Sequence, residues 1–100
     1  MLNSVMLIGK VEGDLSPHEA PDGTSGCLFT VRVMRKAHPG EDPPVRGGDL
    51  FTVVAWRRLA EICSRYLKPG REIFVAGRIE QAHKTIIVAR TLQFLQGGRP

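Results

Sequence analysis

Trp56-Arg57-Arg58 sets one flat indole beside two guanidinium groups. That combination suits an unpaired nucleic-acid strand, where a base stacks on an aromatic face while cations neutralise the flanking phosphates. Further cations fall at Arg32, Arg35 and Lys36, at Arg78, and at Lys84 and Arg90. Phe74, two turns of the strand alternation before Arg78, is a second and weaker stacking candidate. The charge is unevenly placed: residues 51–100 carry nine basic and three acidic side chains, against five and seven in residues 1–50. A basic excess confined to one half points to an anionic partner for that half. With one Trp, one Tyr and four Phe in 100 residues, such binding should rest mainly on phosphate neutralisation and fall steeply with salt.

Catalytic chemistry has no comparable footing. Ile8-Gly9-Lys10 lacks both the upstream glycine and the following Ser or Thr of a phosphate-binding loop. His18, His38 and His83 are dispersed, two in loops and one in a hairpin, and read as surface histidines. The acids cluster on loops without a spacing that would force two carboxylates together, so a nuclease built on the same scaffold is the weaker reading. Cys27 and Cys63 stand far apart among apolar residues, with no zinc-ligand spacing, and read as core thiols. The expectation is therefore a non-enzyme with no metal and no cofactor. No apolar run is long enough to span a bilayer and the first residues lack the pattern of a signal peptide, which predicts a cytoplasmic protein with no membrane partner.

The elements that must position these side chains follow from periodicity. Val5 to Val11 is a short β-rich run, followed by an expected loop with Pro17 and the turn signal Pro21-Asp22-Gly23. From Cys27 to Arg35 apolar residues alternate: Cys27, Phe29, Val31 and Val33 share one face. The stretch from Ala37 to Asp49 is rich in Pro, Gly and acids and reads as a long loop. Leu50 to Trp56 is a third strand; if Phe51, Val53 and Ala55 fill a core, Trp56 lies outside it. The period then changes, with Leu59, Ile62, Cys63, Tyr66 and Leu67 forming one helical stripe that Pro69-Gly70 terminates. Strands over Glu72–Glu80 and Lys84–Leu95 complete the chain, joined through Gln81-Ala82-His83.

Three strands, a helix and two strands is the order of an all-β, five-stranded OB-fold barrel with one α-helix between strands 3 and 4. Gly9 and Gly77 supply bends that closure needs, and a helix of about ten residues argues against an SH3-like barrel. Residues 1–95 are expected to form this one domain, with 96–100 a short polar tail.

Several segments together resemble the bacterial single-stranded DNA-binding protein family. Asn3 to Lys10 is similar to its opening strand, Pro21-Asp22-Gly23-Thr24 to its first turn, and Trp56 through Gly70 to its helix, the most specific match. Val75 to Ile79 and Leu92 to Leu95 fit its last strands, so the likeness runs along nearly the whole chain. The resemblance implies an OB fold that binds single-stranded DNA without strong sequence preference in replication, recombination or repair. It also implies homodimers or homotetramers, with the first strand contributing to the seam. Trp56 falls on an aromatic of the family's binding face and Arg58 on a basic position there. The chain departs from the pattern in three places. Tryptophans expected near Ala37 and Leu50 are absent, the last hairpin is tight and has no aromatic, and the chain reads as a short form without the acidic C-terminal tail. Those departures also suit a second reading, a primosomal adaptor of the same fold that acts through protein contacts with replication-restart proteins. A pure protein-interaction module is the third.

Overall fold

Alternation decides which side of each strand faces inward, and in the computed structural model it closes a barrel. The structure describes residues 1–35, 47–81 and 83–95. The elements are β1 (Val5–Glu19), β2 (Ser25–Val33), β3 (Asp49–Trp56), α1 (Arg58–Tyr66), β4 (Glu72–Gln81) and β5 (Thr85–Phe94). They form a closed barrel in the order β1-β2-β3-β5-β4, with the helix between the third and fourth strands, which is the OB-fold arrangement.

The barrel closes because β1 serves two neighbours. Val5 to Lys10 pair antiparallel with β4, and Lys10 to Glu19 pair with β2. Lys10 therefore faces Glu72 on one side and Arg32 on the other. At the preceding residue the strands run so close that a Cβ on Gly9 would collide with the Arg32 carbonyl. Gly77 meets the same constraint against the Val88 carbonyl, where the β4–β5 register skips Arg90. Both glycines expected to bend the barrel thus sit at tight approaches. A short parallel pairing, Val53 with Ile87 and Val54 with Val88, seals the remaining gap.

β1 is longer than its sequence indicates. A loop was expected after Val11, yet the strand runs through Pro17 to Glu19. Its register against β2 shifts between Glu12 and Ser16, and Gly13 takes φ 75° there, a conformation that costs glycine little. This bulge packs Leu15 against the core and lets Ser16–Glu19 resume pairing. Pro17 is tolerated because β4 pairs only with the first half of β1, leaving this stretch at an edge. The turn beyond it is as expected: Thr24 donates to Asp22 Oδ1 from its backbone N–H at 2.9 Å and its hydroxyl at 2.7 Å. These bonds, the side-chain one foremost, hold the Asp22 carboxyl below its ordinary pKa.

The inner faces supply the core: Cys27, Phe29 and Val31 from β2 and Val53 and Ala55 from β3 are buried as parity predicted, and Ile73 and Val75 from β4 join them. Phe51 packs against this cluster from its margin. Helix α1 plugs one end with Ala60, Cys63 and Leu67. Tyr66, expected in that stripe, is instead 58% exposed. The buried stripe is centred on positions 60, 63 and 67, one step round the helix from Tyr66. The helix also stops earlier than Pro69-Gly70, at Leu67, whose backbone is extended. Lys68 precedes a proline, which disfavours helical backbone, and Gly70 instead donates to the Val11 carbonyl at 2.7 Å, tying the turn to β1.

Both cysteines are free and buried. Burial pushes the Cys63 thiol up to about 12, with nearby Cys27 adding to the effect. Cys27 is raised by burial too, partly offset by a hydrogen bond with Ser64. Because each thiol's pKa is raised in the fold, the protonated form is the folded one, and stability is lost only as pH climbs above the ordinary thiol range. Neither thiol should react with an alkylating reagent at pH 8 until the barrel is unfolded in denaturant; prompt labelling of the native protein would contradict the burial of the pair.

Candidate nucleic-acid interface

The outer face of β1, β2 and β3 is organised in rows fixed by register. His18, Gly26 and Trp56 form one row. Ser16, Leu28 and Val54 form the next, extended by Val88 and Arg78 across β5 and β4. Glu12, Thr30 and Thr52 follow, then Lys10, Arg32 and Leu50 at the far end. Val54 and Val88 belong to this outer side yet are 1% and 7% exposed. They give the face a sunken apolar strip separate from the barrel core.

Trp56 is half-buried outside the barrel, as its parity predicted. Its ring lies across Gly26, where an added Cβ would stand 2.7 Å from ring carbons Cε3 and Cζ3. Only glycine leaves room for the indole to lie that close to the sheet. Arg57 N–H donates to the Ser25 carbonyl at 3.0 Å, carrying the β2–β3 ladder one residue past the strand. Arg57 then turns the chain into α1 with φ 59° and ψ −125°, a glycine-like conformation and the one positive φ at a non-glycine among the described residues. Both Arg57 and Arg58 are exposed, and neither takes part in an ion pair among the described residues.

The other expected cations divide into groups. Arg32 lies on the same face, six residues along β2 from Gly26, about 20 Å from the Trp56 row. It makes a two-pronged pair with Glu12, with nitrogen–oxygen distances of 2.8 and 2.5 Å, and also donates to the Gly47 carbonyl. The hydrogen-bonded guanidinium holds the Glu12 carboxyl below its usual range. Arg35 pairs with Asp49 at 2.8 Å, with the same consequence for that carboxyl. Arg78 flanks the face on β4 and pairs with Glu80 at 2.5 Å. Lys84 stands at the β4–β5 connection beside His83, and both line a trough with His18, Leu28 and Ile86. Lys36 and the tail 96–100 lie outside the described residues, as does most of the loop expected over Ala37 to Asp49.

Phe74 is not brought to Trp56. It shares the outer side of β4 with Arg78 as expected, but its partners are Ile8 and Gln93, on the part of the barrel where β1 meets β4. His18 was missed in its turn: read as a loop histidine, it stands on β1 with its ring centroid 5.4 Å from that of Trp56, tilted by 50°. The signal that could have found it is the β1 bulge, which puts His18 in the row of Gly26 and which a lone Gly13 hints at only weakly. Among the described residues no three His, Cys, Asp or Glu side chains form a group able to hold a metal ion, and no helix is long and apolar enough to cross a membrane.

Comparison with known proteins gives one consistent result. The profile of the Single-strand binding protein family matches residues 2–95. The chain is 35% identical over 79 residues to Single-stranded DNA-binding protein 1 of Chlorobaculum tepidum, covering 79% of this chain and 49% of that protein. It is 39% identical over 82 residues to the single-stranded DNA-binding protein of Caldanaerobacter subterraneus, covering 80% and 52%. The chain thus spans about half the length of these curated relatives. Among solved structures, the wild-type single-stranded DNA binding protein from Thermus aquaticus superimposes with a TM-score of 0.76 at 27% identity, covering 99% of this chain and 43% of that one.

Strain at Arg57 has a measurable consequence. Arg57→Gly should raise stability by about 1 kcal/mol, the difference between roughly 1–3 kcal/mol of relieved strain and roughly 0.5–1 kcal/mol of added glycine entropy. A higher denaturant midpoint with unchanged slope would show it; a lower midpoint would mean that the Arg57 side chain contributes more than its backbone costs.

Proposed function

The chain belongs to the single-strand binding protein family, and from that premise we propose that its outer sheet face binds single-stranded DNA without reading its sequence. The observation that carries this reading is Trp56, laid across Gly26 on the outer face with the exposed Arg57 and Arg58 next in the chain. A base stacks on the free part of the indole, and the flanking phosphates meet the two guanidinium groups. Stacking tolerates any base because every base has a flat π-face. Lys84 supplies a further cation beside the same row. This is a binding protein rather than a catalyst, acting in the cytoplasm on strands exposed during replication, recombination or repair.

The reading includes assembly into homodimers or homotetramers. Met6, Ile8 and Met34 are 69%, 55% and 67% exposed, and Ile8 and Met34 line one surface hollow with Lys10 and Arg32. An apolar strip there supports burial against a second copy. The second reading, an adaptor that engages replication-restart proteins and binds DNA weakly, draws support from Arg32, Arg35 and Arg78, which are already engaged by carboxylates.

Titration of labelled oligo-dT by fluorescence anisotropy, repeated across salt concentrations while following the single tryptophan, separates the two. Tight, salt-sensitive binding with Trp56 quenched is the expected result, and Trp56→Ala should weaken it by about 1–3 kcal/mol. A folded variant with unchanged affinity would remove Trp56 from the interface, and negligible wild-type binding at low salt would leave the adaptor reading. Glu12→Gln should release Arg32 to a phosphate, raising affinity and steepening the logarithmic salt slope by about 0.7. An unaltered slope would place Arg32 off the DNA path.

A further inference from the structure

We infer that His18 and the trough beside it form a second base-binding platform, which takes the nucleobase neighbouring the one stacked on Trp56. The inference rests on the single-strand binding proposed above and goes beyond it in naming a subsite and its occupant.

Register is the first ground. His18 and Trp56 lie two strands apart in one row, with Gly26 between them. Strands are spaced about 4.8 Å apart, so residues two strands away ordinarily stand about 10 Å from each other. Here the rings approach to 5.4 Å between centroids because Gly26 has no side chain to hold them apart. At that separation, and tilted by 50°, the rings leave no slot for a base between them. They form instead one continuous aromatic edge, with His18 exposed at its outer end.

The second ground is what lies on the far side of His18. A trough of about 220 Å³ runs between His18, Leu28, His83, Lys84 and Ile86. Its apolar side is formed by Leu28 and Ile86, and the buried Val54 adjoins Leu28 in the register. The polar groups stand at its margins: two imidazoles that can donate to or accept from a base edge, and one ammonium suited to a phosphate. Apolar walls for the base faces, hydrogen-bonding groups for the edges and one cation for the backbone are what an unstacked base requires. A protein or lipid partner would have no comparable use for an imidazole pair and a single lysine around a one-base trough. Continuity with Trp56 further favours the next nucleotide of the same strand. The trough also explains how a face with a single tryptophan could hold more than one base.

The test compares the wild-type protein with His18→Ala and His18→Phe on oligo-dT and on an abasic sugar-phosphate oligomer of equal length. His18→Ala should raise the Kd for oligo-dT about tenfold, the loss of one stacked base, and leave the Kd for the abasic oligomer unchanged. His18→Phe should restore oligo-dT binding, because it keeps a flat ring. Tryptophan quenching at saturation should be complete in all three proteins. Equal weakening on both oligomers would mean that His18 serves the backbone, and reduced quenching would mean that it merely props Trp56; either result overturns the inference. Unchanged affinity in His18→Ala overturns it as well, while leaving single-strand binding intact. Failure of the wild-type protein to bind oligo-dT would remove the parent reading and this one together. His18 is exposed, so circular dichroism should report the same fold for all three.

Discussion

Everything on the outer face depends on β1 pairing twice. Lys10 is hydrogen-bonded into the sheet between Arg32 and Glu72, with β4 holding the strand before it and β2 the strand after it. A straight β1 could satisfy one neighbour and would leave the other with an open edge, exposing the inner faces of Val31, Ile73 and Val75 to water. The tight approach at Gly9 sets where the strand changes partners, and the bulge after Glu12, which adds two residues to β1 and so keeps its alternation, sets which β2 residues its second half meets. His18 reaches the Gly26 row only through that bulge. Closure of the core and construction of the interface are therefore one geometric event.

Electrostatics on this face are less generous than a count of basic residues implies. The net charge is +4, but three of the arginines expected to meet phosphate are engaged by Glu12, Asp49 and Glu80. Exposed pairs of this kind contribute little to stability, so the fold has no strong need of them. On the proposed binding their effect would be competitive: a phosphate would have to displace a carboxylate before it gained Arg32 or Arg35. Both partner carboxyls are held below their ordinary pKa by the paired guanidinium, so the competition persists at neutral pH and relaxes only as pH falls far enough to protonate them. Among the described residues Arg57 and Arg58, next in the chain after Trp56, take part in no ion pair, whereas Arg32 at the far end of the face is held by Glu12.

Much of this was legible in the sequence, and the boundary is physical. Parity in β2 and β3 named Cys27, Phe29, Val31, Val53 and Ala55 as inward and Trp56 as outward, because a half-buried strand has to alternate. The helix, the Asp22 turn and the bends at Gly9 and Gly77 were readable for similarly local reasons. What escaped was non-local. Extension of β1 past Pro17 depends on which neighbour ends where. Tyr66 shares a helical stripe with buried residues but lies to one side of the end of the barrel that they plug. Phe74 shares parity with Arg78, yet which neighbour lies beside it depends on barrel closure. The pairing of Arg32 with Glu12 is diagonal across two strands whose register no single strand encodes.

Arg57 shows how the interface and the fold compete at one residue. Its N–H completes the β2–β3 ladder, its carbonyl accepts from the Glu61 N–H at 3.1 Å to start α1, and its backbone must turn sharply between the two. Glycine would make that turn without strain. An arginine here places a guanidinium immediately after the indole of Trp56, at a point held by hydrogen bonds on both sides. Because those bonds belong to the ladder and the helix, the side chain starts from a fixed backbone and loses less freedom on meeting a phosphate than one on a loop would. The strained φ is compatible with the rest of the structure because the β2–β3 ladder and the buried face of α1 over-determine it. The proposed binding face has few aromatics and would gain most from cations that are already in position, and this junction is where the barrel can supply one.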